Sequence, residues 1–304
     1  MMVRGLLEEA GFEGEVRYGE PMSRHTTLGI GGPAEAMVFP ESVESLARIT
    51  GLAYRNGVPV FILGNGSNLL VLDGGIPGLV INMEKMAWME LERGESGTSK
   101  VHAGAGAPLA KLVRYCAEAG LSGLEFAAGI PGTLGGAVVM NAGVHEADMK
   151  DVLTGVTLVG RDGGVDKVAA GDLKMSYRKT ELPEGAVVAE ATVALIPWPK
   201  EEVKEKVAAN SRRRKATQPA GVHSAGSTFK NPPGYSAWKL IDMAGLRGRQ
   251  VGQAQVSRMH TNFLINLGGA TAKDFRALME LVVSTVQEKL NITLEPEIKI
   301  VGVE

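Results

Sequence analysis

Cysteine is all but missing from this 304-residue chain, which carries one thiol, Cys116. A single cysteine excludes an intramolecular disulfide framework and a cysteine-rich metal site, and it fits a reducing compartment. Histidine is sparse as well. His25, His102, His145, His223 and His260 are scattered, and no H-E-x-x-H or C-x-x-C spacing occurs, so the chain is expected to bind no metal. A basic surplus is also lacking. The formal net charge of -2 argues against a general nucleic-acid binder. No run of about eighteen apolar residues is present, which leaves no candidate for membrane insertion. Glu8 and Glu9 stand where a signal peptide would need its apolar run, so the chain reads as cytoplasmic. A G-x-S-x-G elbow is absent, and Ala225-Gly226-Ser227 lacks the second glycine, which makes acyl transfer a poor reading.

Glycine, by contrast, is plentiful, and two stretches of it organise the chain. From Glu125 to Gly143 the sequence E-F-A-A-G-I-P-G-T-L-G-G-A-V-V-M-N-A-G sets Gly129, Gly132, Gly135, Gly136 and Gly143 among small and apolar residues. No Lys, Arg or Asp interrupts it from Phe126 onward. Without a Cβ in the way, such backbone lets N–H groups approach a flat or anionic ligand closely, although a turn that only packs two elements together would look the same. The second stretch is Gly64-Asn65-Gly66-Ser67-Asn68-Leu69-Leu70, which follows the apolar run Val58 to Leu63. Two such loops in one chain suit a long ligand with a diphosphate in its middle.

Periodicity supplies the elements around these loops. Ser42 is placed to cap a helix running to about Asn56, with Val43, Leu46, Ile49 and Ala53 on one side. Pro108 opens a second helix whose Leu109, Leu112, Val113 and Cys116 share a face, which makes Cys116 a core residue. A charged helix starts at Lys200 and ends in Arg212-Arg213-Arg214-Lys215, and a short one spans Ala237 to Ala244. The clearest helix starts at Thr271, with Asp274 completing a capping box and Phe275, Leu278, Met279, Val282, Val283, Val286 and Leu290 on one face. Strands are expected over Leu28 to Pro33, Val58 to Leu63, Leu79 to Asn82, Val152 to Val159, Val187 to Ile196 and Leu294 to Val301. The opening is βαβ-like but lacks the G-x-G-x-x-G form of a Rossmann turn.

Three polar residues stand out by context, each with two readings. Arg178 follows a strand-rich region in Ser176-Tyr177-Arg178-Lys179-Thr180 and is either a surface cation or a ligand contact. Ser227 lies in an Ala-Gly-Ser turn before Phe229, as an ordinary turn serine or as a hydroxyl aimed into a cleft. Glu297 begins a strand after Pro296, exposed on an edge or partly buried. The Arg212 to Lys215 run complements a helix dipole, and beside a diphosphate it would be a clamp.

Taken together in order, these segments resemble the UDP-N-acetylenolpyruvoylglucosamine reductase family of flavoenzymes. The resemblance runs through Thr27-Leu28-Gly29-Ile30-Gly31-Gly32, both glycine loops, Asn141-Ala142-Gly143, Tyr177-Arg178, Ser224-Ala225-Gly226-Ser227, Phe229-Lys230-Asn231-Pro232 and Leu294-Glu295-Pro296-Glu297. It implies an α+β fold with a two-lobed FAD-binding unit of the vanillyl-alcohol-oxidase group plus a C-terminal substrate domain. The implied division is a first lobe over 1–85 rejoined by 291–304, a second lobe over 86–199 and a substrate domain over 200–290. It implies non-covalent FAD held by Gly64, Asn65, Gly66, Ser67, Asn68 and Leu69 and by Gly129, Ile130, Pro131, Gly132, Thr133, Gly135, Gly136 and Ala137. NADPH is the implied hydride donor, and the enolpyruvyl ether of a UDP-sugar, an intermediate of peptidoglycan synthesis, is the implied substrate. Arg178 matches the family's arginine that polarises the substrate carboxylate, Ser227 its proton donor, and Glu297 the acid beside them, useful there with a raised pKa. Tyr177, Lys230, Asn231 and His260 match substrate contacts, as does one of Arg212, Arg213 and Arg214, with Arg213 taken as the candidate and the choice among the three left open. Too few residues lie between Ser176 and Lys200 for the inserted loop of the longer family type, so the shorter type is expected. A flavin-dependent oxidase on the same FAD unit is the alternative. Many such oxidases tether flavin through His or Cys near the diphosphate loop, and Gly64 to Leu70 contains neither.

Overall fold

The computed structural model describes residues 3–9, 12, 14–94, 97–144 and 147–304, so His145 lies outside the described residues. Among these the α-helices are α1 (Val3–Glu9), α2 (Val43–Arg55), α3 (Leu109–Glu118), α4 (Leu134–Val139), α5 (Lys200–Thr217), α6 (Ala237–Met243) and α7 (Ala272–Leu290). The chain forms two compact units. The first takes the residues up to Tyr18, Ala36–Asn65 and Gly78–Arg213, and the second takes Gly19–Glu35, Gly66–Pro77 and Arg214–Glu304. No described helix is long and apolar enough to cross a membrane.

The first unit is built on two sheets. One has the strand order Glu15–Pro21, Pro33–Phe39, Ile76–Asn82, Val60–Leu63, and its last pair is parallel with Val60 opposite Leu79. The other runs Val165–Ala169, Leu153–Val159, Val187–Pro197, Ser99–Gly104, Met89–Glu92 and is antiparallel throughout. Its core collects Leu46, Ile49 and Ala53 of α2, Leu109, Leu112, Val113 and Cys116 of α3, and Leu134 and Val138 of α4. Cys116 is a core residue as expected, and burial pushes its thiol up to about 12, far from a reactive thiolate. Helix α5 has only Val203 buried. Lys200 and Lys204 reach Glu118 at 2.8 and 3.0 Å, and Asn210 Nδ2 donates to the Glu125 carbonyl at 2.8 Å.

In the second unit a four-stranded antiparallel sheet has the order His223–Ser227, Phe263–Asn266, Ala254–Val256, Gln250–Val251. Phe275, Leu278, Met279, Val282 and Val286 of α7 form its core with Leu28, Ile30, Leu70, Leu240 and Leu264. The end of the chain, Lys299–Val301, pairs in parallel with Leu69–Val71. The Thr271 capping box is present, Thr271 Oγ1 accepting from the Asp274 N–H at 3.1 Å and Asp274 Oδ2 accepting from the Thr271 N–H at 3.2 Å. Asn291, at φ +53, closes α7 in the left-handed conformation.

Two expected strands are corrected. Leu28 to Pro33 is a turn, with Gly29 at φ +65, Gly31 at φ +142 and Thr26 Oγ1 donating to the Ile30 carbonyl at 2.7 Å. Leu28 and Ile30 alternate because both enter the core, not because the backbone pairs; the strand begins at Pro33. The tail likewise forms a strand only over Lys299–Val301, preceded by an isolated antiparallel bridge between Pro296 and Phe229. The polar strand Glu15–Pro21 has little apolar alternation and went unrecognised in the sequence.

A second contact at the start of α7 was equally invisible. Asp73, far away in the chain, accepts from the N–H groups of Ala272 at 3.0 Å and Lys273 at 3.2 Å, satisfying two of the helix's orphan donors. Asp73→Ala should lower stability by on the order of 1–2 kcal/mol, the usual worth of a lost helix cap. Urea denaturation of wild type and variant measures it, and an unchanged midpoint would assign α7 its stability from packing alone.

Candidate active site

The two glycine loops meet in the first unit. A Cβ placed on Gly64 would stand 2.7 Å from Thr133 Oγ1, so the end of strand Val60–Leu63 touches the loop that leads into α4. Among the described residues, no group accepts a hydrogen bond from the N–H of Gly129, Gly132 or Thr133. Gly136 is exposed on the first turn of α4, and a Cβ there would meet only Thr133 Oγ1, at 3.6 Å. Bare donors beside an open glycine form a cradle that fits an anionic, elongated cofactor.

Gly66 plays a different part. It is buried at φ +59, its carbonyl accepts from the Thr27 N–H at 3.1 Å, and a Cβ would lie 2.0 Å from the His25 carbonyl oxygen. Its missing side chain lets the chain fold onto its own backbone. Two residues on, Asn68 Nδ2 donates to the Glu297 carbonyl at 3.2 Å, and the Asn68 carbonyl accepts from the Lys299 N–H at 2.9 Å.

Tyr177 and Arg178 form the two-residue turn of a hairpin, Lys174–Ser176 with Lys179–Glu181. Arg178 adopts φ +58, its guanidinium lies over the Tyr177 ring at 4.9 Å, and its Nη1 donates to the Gly143 carbonyl at 3.2 Å. It is half-buried and tethered, not a free surface cation. Arg213 is exposed on α5.

In the second unit Ser227 ends a strand instead of occupying a turn. The register with Phe263–Asn266 slips between Ser224 and Ser227, a bulge around Gly226 at φ +77 that re-aims the following side chain. The Ser227 hydroxyl is half-buried, and among the described residues it makes no hydrogen bond. The neighbouring residue, Thr228, connects Ser227 to Glu297: its carbonyl accepts from the Glu297 N–H at 2.8 Å, and Glu297 is half-buried. Asn262 holds this crossing. Its Nδ2 donates to the Phe229 carbonyl at 2.8 Å, its Oδ1 accepts from the Phe229 N–H at 3.0 Å, and its carbonyl accepts from the Thr228 N–H at 2.8 Å. Neither Thr228 nor Asn262 was singled out in the sequence; a polar residue inside the apolar run Phe263-Leu264-Ile265 and its approach was the available signal.

Lys230 pairs with Glu295 at 3.2 Å, and Asn231 Oδ1 accepts from the Ala237 N–H at 2.9 Å at the start of α6. The His260 ring packs edge-on against Phe263, with centroids 4.9 Å apart, and its buried Nδ1 has no partner among the described residues. Burial holds the His260 pKa below its ordinary 6.5, with the nearby Arg247 charge acting in the same direction. An orphaned buried nitrogen is the mark of a group that waits for a ligand or pays in desolvation.

These features define an FAD-binding protein, and residues 34–168 match the family described as FAD binding domain. Residues 218–301 match the family described as UDP-N-acetylenolpyruvoylglucosamine reductase, C-terminal domain. The chain is 48% identical over 301 residues to the UDP-N-acetylenolpyruvoylglucosamine reductase of Desulfosudis oleivorans, covering 96% of each protein. It is 44% identical to UDP-N-acetylenolpyruvoylglucosamine reductase 2 of Symbiobacterium thermophilum, over 95% of this chain and 93% of that one. The crystal structure of UDP-N-acetylenolpyruvylglucosamine reductase from Thermus caldophilus superposes with a TM-score of 0.81 at 41% identity, covering 95% of this chain and 98% of that one. The chain belongs to the UDP-N-acetylenolpyruvoylglucosamine reductase family.

Two outcomes follow from the geometry. Gly136→Val should purify folded but depleted of FAD, because the side chain enters open space and not protein; absorbance near the flavin band against protein, with circular dichroism as the fold control, decides it. A yellow Gly136→Val protein would remove this glycine from the cradle. For His260, protonation is disfavoured in the folded state, so the unfolded chain binds the proton first as pH falls. Stability should therefore be complete above about pH 6.5 and decline as pH drops below it. His260→Gln should flatten that part of the profile in denaturation measured from pH 7.5 to 5, and an unchanged slope would place the titration elsewhere.

Proposed function

We propose that Arg178, Ser227 and Glu297 carry the chemistry of an NADPH-dependent, FAD-containing reductase that converts the enolpyruvyl ether of UDP-N-acetylglucosamine enolpyruvate to UDP-N-acetylmuramate, a step of peptidoglycan precursor synthesis. The single observation behind the reading is family membership at 41–48% identity over nearly the whole chain. FAD held by the glycine loops and reduced by NADPH would supply the hydride that the terminal alkene carbon of the substrate accepts. Negative charge then develops on the adjacent carbon and its carboxylate, which need electrophilic stabilisation and a proton. Arg178 offers the carboxylate a planar, permanently charged donor fork. Ser227 gives the proton from a hydroxyl that spends no hydrogen bond within the described protein. In its protonated form Glu297 would donate a hydrogen bond at the same carboxylate. Tyr177, Arg213, Lys230, Asn231 and His260 bind the rest of the substrate, and Gly64 to Leu69 with Gly129 to Ala137 hold the cofactor.

The functional division we adopt is a first FAD lobe over 1–85 with 291–304, a second over 86–199 and a substrate domain over 200–290. The parallel pairing of Lys299–Val301 with Leu69–Val71 supports grouping the tail with residues 66–77, which this division counts in the first lobe although they cluster with the second compact unit. We place the enzyme in the cytoplasm, the reducing compartment its one cysteine fits, with no nucleic-acid partner.

Ser227→Ala separates proton transfer from hydride transfer. The variant should still bind FAD and be reduced by NADPH, while reoxidation by the enolpyruvyl UDP-sugar slows by at least about a hundredfold, the lower end of general acid catalysis. Anaerobic stopped-flow absorbance resolves the two half-reactions. Near wild-type reoxidation would assign the proton to another donor, and reoxidation of the wild type by oxygen alone would favour an oxidase.

A further inference from the structure

Asn141-Ala142-Gly143 belongs to the family resemblance, yet no role attaches to it. Asn141 is 1% exposed and sits at φ +39, a left-handed conformation uncommon for a residue with a side chain. Its amide is fully engaged. Nδ2 donates to the Ser176 carbonyl at 3.1 Å and to Asp148 Oδ2 at 3.0 Å, and Oδ1 accepts from the Lys150 N–H at 3.0 Å. Ser176 is the last residue before the Tyr177-Arg178 turn.

Two more bonds link the same segment to the same hairpin. Thr180 Oγ1 donates to the Val138 carbonyl, and Arg178 Nη1 donates to the Gly143 carbonyl at 3.2 Å. Thus the exit from α4, residues 138 to 143, grips the hairpin before, at and after its turn. The turn needs such a grip, since Arg178 is itself held at φ +58, where a side-chain-bearing residue stays only if its surroundings over-determine it. Cutting the bond to Ser176 frees the residue just before that turn, and a guanidinium at the end of a long side chain amplifies small backbone shifts.

We propose that Asn141 is a positioning residue for Arg178: its amide pins Ser176 and so fixes the turn from which the guanidinium meets the substrate carboxylate. The inference rests on the role assigned to Arg178 above. It gives the Asn-Ala-Gly segment a function in substrate reduction distinct from holding FAD.

Asn141→Gly tests it, because glycine keeps the left-handed backbone and deletes the amide. The holoenzyme should retain its FAD absorbance and its rate of reduction by NADPH. The Kd of the oxidised enzyme for the enolpyruvyl UDP-sugar, read by calorimetry, should rise, and reoxidation should slow on the order of tenfold to a hundredfold, as expected when a reacting group is displaced by about an ångström. A double-mutant cycle supplies the readout that a purely structural role would not move: in an Arg178→Ala background the Asn141→Gly effect should shrink to near onefold. Equal effects in both backgrounds, or no effect in the wild-type background, would overturn the proposal while leaving the role of Arg178 intact. A silent Arg178→Ala would overturn both. Should Asn141→Gly not fold, Asn141→Asp, which keeps the size and loses the donors, is read by the same criteria; failure of both to fold would assign Asn141 to the fold alone.

Discussion

A buried side-chain amide closed on the backbone of a neighbouring segment is the constraint that holds the candidate residues of the second unit together. Asn262 pairs with both backbone groups of Phe229, and from there Thr228 reaches across to the Glu297 N–H. Ser227 and Glu297, 70 positions apart in the chain, are thereby held one residue from a common crossing. Leaving either backbone group of Phe229 unsatisfied in the core would cost about 1–3 kcal/mol, more than the bond itself contributes net, so the arrangement is enforced mainly by the penalty of leaving it. Thr228, Phe229 and Asn262 are all buried at the crossing.

The glycines divide into two physical kinds that sequence does not distinguish. At Gly66 the absent Cβ makes room for a carbonyl of the same chain, whereas at Gly136 it leaves open space. Only the second kind leaves room beside the backbone. The first shapes the path that carries Asn68 toward the Glu297 backbone, a contact that joins a candidate cofactor residue to a candidate catalytic one.

Much was legible in the sequence wherever periodicity and local chemistry agree. The capping box at Thr271, the α3 stripe with Cys116 and the long antiparallel strand through Val187–Pro197 all follow from short-range rules. What stayed hidden depends on distant partners. Leu28 and Ile30 alternate like a strand, yet Gly29 and Gly31 turn the chain there, and the two apolar side chains serve a core whose last member, Ile298, comes 270 positions after Leu28. Ser227 reads locally as a turn because the bulge that places it exists only against Phe263–Asn266. Asn262, Asn141 and Asp73 carry no local signature, since each acts through backbone groups far along the chain.

The interleaving of the two units bears on how the polypeptide is made. All three segments of the first unit have been synthesised once Arg213 is added, but the second unit needs residues as far as Ile298 to complete its core. Leu28, Ile30, Leu70 and Leu72 emerge early and have no complete burial site until α7 is translated. During that interval these side chains lack the later half of their core, and a chain stopped after α5 would leave them so permanently. Closure of the second unit therefore waits for α7, Ile298 and the parallel strand Lys299–Val301.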